Sequence, residues 1–239
     1  MNCLISPCAA VSPSPTPRPT APIVSFARSG RSVARCGSWR RRLRLITEAA
    51  VESAAVTVES DSISSVARRL ILLRHAESSW DNPILRDHDR PLSKGGEEEA
   101  VKVSMKLEQL GWIPQLILCS DALRTRETLR IMQENIDSFW GAEVQYVPSF
   151  YSVAALDGQT AEHLQQTICQ YSTDDIVTVM CMGHNRGWEE AASVFTGALV
   201  ELKTCNAALL EAAGRSWEEA FTLAGLGGWK FLGVVKPQE

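Results

Sequence analysis

Four consecutive bulky aliphatic residues, Leu70-Ile71-Leu72-Leu73, stop abruptly at Arg74-His75. An uninterrupted apolar run of this kind predicts a strand buried on both faces, which belongs near the centre of a parallel sheet covered by helices. Such a strand delivers a cation and an imidazole to the carboxyl edge of the sheet, where open α/β folds bind their ligands. Taken alone, the pair also fits a strand cap followed by a turn histidine. Two later stretches repeat the theme. Leu116-Ile117-Leu118-Cys119 ends on Ser120, with Arg124 one helical turn beyond, and Ile176 to Met182 runs into Gly183-His184-Asn185. Parallel strands would bring all three ends to one rim, with two imidazoles and two guanidiniums around one small site.

Amphipathic segments separate these strands. Ser93 is a candidate N-cap, and Ala100, Val103, Leu107 and Leu110 form the stripe of a helix that Gly111 ends. Further helices are predicted over Ala122–Asn135, through Ala161, Leu164, Ile168 and Tyr171, and through Trp188 to Phe195. A strand is expected at Val144–Val147, followed by an irregular segment through Tyr151 and Asp157. The alternation predicts a three-layer α/β/α sandwich with a mostly parallel central sheet. Three short strands, Ala207–Glu211, Phe221–Ala224 and Lys230–Val235, are expected as antiparallel additions at the C-terminal end.

The first 47 residues have a different chemistry. They contain no Asp or Glu but hold eight arginines (Arg18, Arg28, Arg31, Arg35, Arg40, Arg41, Arg42 and Arg44) among many Ser, Pro and Thr. That composition predicts an organelle transit peptide, plastid rather than mitochondrial, with residues 1–60 as leader and linker, disordered, and 61–239 as the folded domain. A nuclear signal or nucleic-acid arm at Arg40-Arg41-Arg42 is the alternative reading. The leader holds eight of the 24 basic residues and none of the 28 acidic ones, so residues 48–239 carry a formal net charge of −12. A body this acidic excludes a general nucleic-acid surface, and no apolar run approaches a membrane span. An anion could bind only where positive charge is gathered into a pocket. Four of the seven cysteines lie in this body without paired spacing, which predicts free thiols rather than a zinc site or a disulfide framework.

The ordered set Leu73-Arg74-His75-Ala76-Glu77, Ser120-Asp121-Ala122-Leu123-Arg124-Thr125-Arg126-Glu127-Thr128 and Gly183-His184-Asn185 resembles the histidine phosphatase superfamily. The compact length and the stretch Asp89-Arg90-Pro91-Leu92-Ser93 are similar to its small SixA-type phosphohistidine phosphatases. The resemblance implies a metal- and cofactor-independent phosphatase in which His75 becomes phosphorylated. It makes Arg74 and Arg124 the holders of the phosphoryl oxygens and His184 a hydrogen-bond donor or cation. Beside the resemblance, backbone N–H groups near Asn185, at the start of the helix after His184, are candidate further donors, and Arg90 is either a further binding residue or a solvated loop arginine. The chemistry is consistent, since a neutral imidazole is a good nucleophile and fixed cations can meet the charge of the transferring group.

This chain departs from the family pattern at three points. Ala76 replaces a common glycine, Asp81 replaces an asparagine that touches phosphate, and Tyr151 occupies the place of the mutases' general-acid glutamate. Tyr151, Asp157 and His88 are the remaining candidate acids. A site without a clear acid suits phosphohistidine, whose leaving ring nitrogen can take a proton from solvent, better than an alcohol ester, where acid catalysis contributes about 10² to 10⁴ in rate. The expected partner is a phosphorylated protein or small phosphorylated substrate, with no nucleic acid and no membrane. A phosphomutase, a phosphate monoester phosphatase and a non-catalytic phosphate-binding module are the alternatives.

Overall fold

The computed structural model describes residues 66–238, and the expected leader and its boundary lie outside the described residues. Six strands form one sheet in the order β3-β2-β4-β1-β5-β6: β1 (Ala67–Arg74), β2 (Leu116–Cys119), β3 (Glu143–Tyr146), β4 (Thr178–Gly183), β5 (Ala207–Ala213) and β6 (Lys230–Val235). β1 pairs parallel with β4, and β4 with β2, whereas β5 and β6 join antiparallel beyond β1. The sheet is therefore mostly parallel with an antiparallel C-terminal flank.

The helices are α1 (Lys94–Gln109), α2 (Leu123–Asn135), α3 (Ser149–Val153), α4 (Thr160–Tyr171), α5 (Gly187–Thr196) and α6 (Trp217–Ala224). Alternation along the strands divides the core. Leu70, Leu72, Leu116, Leu118, Val179 and Cys181 pack in one buried cluster with residues of α4, α5 and α6. Ile71, Leu73, Ile117, Cys119, Met180 and Met182 pack in the other with α1 and α2. Both faces of β1, β2 and β4 are thus buried, which is why these strands read as unbroken apolar runs. The Ser93 hydroxyl accepts from the Gly96 N–H at 3.0 Å, capping α1, and Gly111 turns the chain beyond its end at φ 68°.

Two expectations are corrected. Phe221–Ala224 is the last turn of α6 and not a strand, because Ser216 caps a helix there by accepting from Glu219 N–H at 3.1 Å. Trp217, Ala220 and Phe221 then pack inward at helical spacing. The irregular stretch around Tyr151 also contains the short helix α3.

Arg68, on β1, is fully buried and bonds three carbonyls: Gly214 at 3.1 Å, Asp174 at 2.7 Å and Ile176 at 2.8 Å. It ties the start of β1 to the entry of β4 and the exit of β5. Among the described residues Cys119, Cys181 and Cys205 are buried free thiols, and Cys169 is half-buried. No helix there is long and apolar enough to cross a membrane.

Candidate active site

The register of the sheet gathers the three strand ends. Arg74 lies opposite Gly183, and Cys119 lies opposite Met182. His75 N–H then bonds the Gly183 carbonyl and Ser120 N–H the Met182 carbonyl, each at 3.0 Å, so the residues leaving β1, β2 and β4 stay side by side. A cavity of about 500 Å³ opens at this rim. Its lining includes His75, Asp87, Arg124, Tyr151, His184 and Arg186.

The proton positions on both imidazoles follow from their partners. His75 Nδ1 lies 2.7 Å from the Ala76 carbonyl oxygen, so Nδ1 carries a proton and donates it. Arg124 Nε–H, which can only donate, points at His75 Nε2 from 3.1 Å. Both contacts require the same tautomer, in which the single Nε2 lone pair is on the cavity side and accepts from Arg124. Arg124 also donates from Nη2 to His184 Nδ1 at 3.3 Å, so His184 directs its Nε2–H to Ser120 Oγ at 2.8 Å. The His75 and His184 rings lie 5.2 Å apart between centroids.

Burial is the main cause of the pKa shifts. It lowers His75 from 6.5 to about 3, against the opposing bond to Ala76 and with the help of the Arg124 and Arg74 charges. Burial likewise holds His184 at about 2, assisted by His75 and Arg124. Both rings are neutral at pH 7. To meet a phosphoryl group as a donor, His184 would need a proton on Nδ1 that it does not carry in this state.

Asp87 was missed by the sequence reading. It lies in a short 3-10 turn, Asp87–Asp89, on an excursion closed at its base by the bridge between Ser78 and Leu92. Its Oδ2 accepts from Arg124 Nη2 at 2.9 Å and from Tyr151 Oη at 3.0 Å, and its Oδ1 lies 3.1 Å from Arg90 Nη2. Its backbone carbonyl accepts from Arg124 Nη1 as well. Burial alone would raise its pKa, but the Arg124 charge, the Tyr151 bond and Arg90 together hold the carboxyl below its usual range. An ionised carboxylate therefore occupies half of the guanidinium fork that a phosphoryl group would need. No periodicity marks a single aspartate in a polar loop, and only its convergence on Arg124 gives it away.

The other expected site residues are distributed unevenly. Arg124, His75 and His184 meet, and Asn185 and Tyr151 line the cavity with them. Arg74 is not among the lining residues. Its Nη1 donates to the Leu202 carbonyl at 2.9 Å, while its buried Nε has no partner. Arg90 also lies outside the lining, its guanidinium stacked 3.3 Å from the Trp80 ring centroid and paired with Asp87, so it acts on the cavity through Asp87.

Of the candidate acids, Tyr151 spends its hydroxyl proton on Asp87, and its pKa is raised by burial and by that carboxylate. His88 is held by Asp121 at 3.1 Å and Asp89 at 3.2 Å, outside the lining residues, and Asp157 is exposed in the turn between α3 and α4. Asp81 is exposed and takes the Ser79 hydroxyl at 2.8 Å, away from the cavity. The Gly187 N–H, at the start of α5, is used by the Asn185 carbonyl at 2.8 Å and offers no donor to an anion in this state.

Comparisons with known proteins bear on the family and the fold. A family model described as the histidine phosphatase superfamily (branch 1) matches residues 70–175. A chloroplastic protein of Arabidopsis thaliana is 67% identical over 174 residues, covering 73% of this chain and 80% of that one. Among solved structures, the SixA protein of Nakamurella multipartitia superposes with a TM-score of 0.58 at 25% identity, over 72% of this chain and 98% of its own. A protein histidine phosphatase SixA in complex with tungstate gives 0.55 at 16% identity over 71% and 97%, a likeness of fold.

Proposed function

This chain belongs to the histidine phosphatase superfamily, and from that premise we propose that it is a metal-independent phosphatase acting through a phospho-His75 intermediate. One observation carries the reading: the Nε2 of a neutral, buried His75 is unprotonated and held only by the Arg124 guanidinium at the cavity, so its lone pair is released when that N–H turns to a phosphoryl oxygen. In the first step Nε2 attacks phosphorus and the bond to the leaving atom breaks. In the second, water attacks phosphorus, the P–N bond breaks and its electron pair returns to Nε2. Arg124 hands its Nε–H and Nη2–H to phosphoryl oxygens as the group enters, a planar match to two oxygens. Arg74, outside the lining, contributes its positive charge beside His75. The incoming negative charge favours protonation of His184, turning it from acceptor into donor.

Protein phosphohistidine is the substrate class that fits best. The cavity's carboxyl group, Asp87, is ionised in the resting site and gives no proton to a leaving alkoxide. A departing imidazole can be protonated by solvent near neutrality. The test is to incubate the protein with a phosphohistidine peptide or a phosphoserine peptide and quench into alkaline denaturant, which preserves phosphoramidates. A labelled adduct formed from phosphohistidine and absent in His75→Ala is expected. Turnover without any adduct, or undiminished turnover in His75→Ala, would refute the reading.

The acid-free, arginine-rich leader and the chloroplastic relative support a plastid location for the protein. A fluorescent fusion to residues 1–67 should enter plastids, and nuclear accumulation would overturn this assignment in favour of the Arg40 cluster.

A further inference from the structure

The loop that carries His184 out of β4 is pinned at both ends. A Cβ on Gly183 would stand 2.2 Å from the Trp188 ring, and one on Gly187 would stand 2.7 Å from both Ala154 Cα and Thr160 Oγ1. α5 is therefore seated tightly on β4 and on the segment joining α3 to α4. His184, Asn185 and Arg186 must turn the chain within that gap. The turn is made at Arg186, whose φ of 57° and ψ of −61° are closed by the bond from Gly187 N–H to the Asn185 carbonyl at 2.8 Å. This is a γ-turn of the rare, strained hand, a conformation that glycine would adopt at less cost.

The residue held there is an arginine. Its side chain lines the same cavity as His75 and Arg124, it is exposed, and it has no hydrogen-bond or ion-pair partner among the described residues. The other cation lining the cavity, Arg124, is engaged by His75, Asp87 and His184. The carboxylate lining the cavity, Asp87, is taken up by Arg124, Arg90 and Tyr151. A domain with a formal charge of −9 over residues 61–239 thus keeps one uncommitted guanidinium at the mouth of its candidate active site. The cavity, at about 500 Å³, falls within the 300 to 1,000 Å³ typical of ligand pockets and has room for a body beyond the phosphoryl group.

We propose that Arg186 is a specificity-determining residue that binds a second anionic group on the substrate, a carboxylate or a further phosphate, while the phosphoryl group lies at His75. The inference rests on His75 and Arg124 forming the phosphoryl site. The turn fixes the backbone of Arg186 at the mouth, so only its side chain remains to be ordered when the anion arrives. A charge-assisted hydrogen bond at this position is worth about ten- to a hundred-fold in affinity.

Calorimetry with non-hydrolysable ligands tests this without requiring turnover. Alkyl phosphonates are compared with ω-carboxyalkyl phosphonates of the same length, one to four methylenes. At the best length the wild type should prefer the carboxylated ligand about ten- to a hundred-fold, and Arg186→Ala should bring the ratio close to one. Arg186→Lys, which keeps the charge but not the fork, should retain part of the preference. Arg186→Gly should lose it while raising Tm, because the turn strain is relieved.

A wild-type ratio near one at every length, or a ratio preserved in Arg186→Ala, overturns the proposal. Alkyl phosphonate binding that is unchanged by Arg124→Ala would instead refute the phosphoryl site itself, and the inference would fall with it. Phosphohistidine peptides carrying a neighbouring Glu or Gln identify the source of the second anion. If kcat/KM favours Glu through Arg186, the anion belongs to a protein substrate; if the effect appears only with the carboxyalkyl phosphonates, it belongs to a small molecule.

Discussion

Replacing Asp87 with asparagine should make the site bind phosphate more tightly. In the resting protein the carboxylate accepts from Arg124 Nη2 at 2.9 Å and Tyr151 Oη at 3.0 Å and lies 3.1 Å from Arg90 Nη2. An entering phosphoryl group must displace at least the Arg124 contact. A hydrogen bond between charged groups contributes about 1.5 to 3 kcal/mol net, and the Asp87 side chain is 51% exposed, so solvent screening reduces that to about 1 to 2 kcal/mol. Asparagine keeps the shape and an acceptor oxygen but loses the charge, so the competition weakens. Inorganic phosphate should then bind about 5- to 30-fold more tightly. Titration calorimetry at pH 7 reads the affinity directly, and product inhibition gives an independent value. Turnover is read separately, because Asp87 can also help to order Arg124. Unchanged or weaker phosphate binding in Asp87→Asn, with the variant folded, would show that the carboxylate supports the anion site rather than competing for it.

Arg124→Lys should keep the fold and lose most of the turnover, by about 3 to 4 kcal/mol of transition-state stabilisation, since a point charge cannot serve two oxygens at once; near-normal kcat/KM would refute the fork. Arg74→Ala should raise the pKa of His75, because the Arg74 charge helps to lower it, and NMR titration of the His75 ring would reveal no change if the guanidinium were electrostatically remote. The two buried rings should also make the fold acid-sensitive. Their folded pKa values, about 3 and about 2, lie below the ordinary 6.5, so this stabilisation is complete above about pH 6.5 and is lost as pH falls toward 3, with a slope of up to about 1.4 kcal/mol per pH unit for each ring. Urea unfolding at pH 7 and pH 5 checks it, and the same loss in a His75→Gln, His184→Gln double variant would exclude these histidines as the cause. Arg68→Met should cost about 3 kcal/mol by leaving carbonyls of Gly214, Asp174 and Ile176 without their donor, visible as a lower Tm with phosphate affinity retained.

Much of this protein was legible in its sequence because burial on both faces of a parallel strand leaves a direct mark. Leu70 to Leu73, Leu116 to Cys119 and Val179 to Met182 are apolar without interruption and fully buried. The polar residues at their ends, His75, Ser120 and His184, fall on one rim as a consequence of parallel pairing. Arg124 was legible for the same reason, one turn into the helix that follows β2. The C-terminal flank was harder to read: Phe221 to Ala224 is apolar enough for a strand, and the Ser216 cap with inward packing of Trp217 and Phe221 decided for helix.

What only the tertiary structure decided are the contacts made by residues outside any periodic element. Asp87 and Arg186 lie in loops, where no repeat relates a side chain to the core, and each reaches the cavity because distant segments fix its backbone. The base of the Asp87 excursion is closed by Ser78 and Leu92, and the turn at Arg186 is confined by Trp188, Ala154 and Thr160. The proton positions on His75 and His184 were equally beyond the sequence, because each depends on a partner more than forty residues away in the chain, Arg124 on one ring and both Arg124 and Ser120 on the other. Sequence determines which groups stand at the ends of the strands; the charge, tautomer and pairing of those groups are set by neighbours that only folding brings within hydrogen-bonding distance.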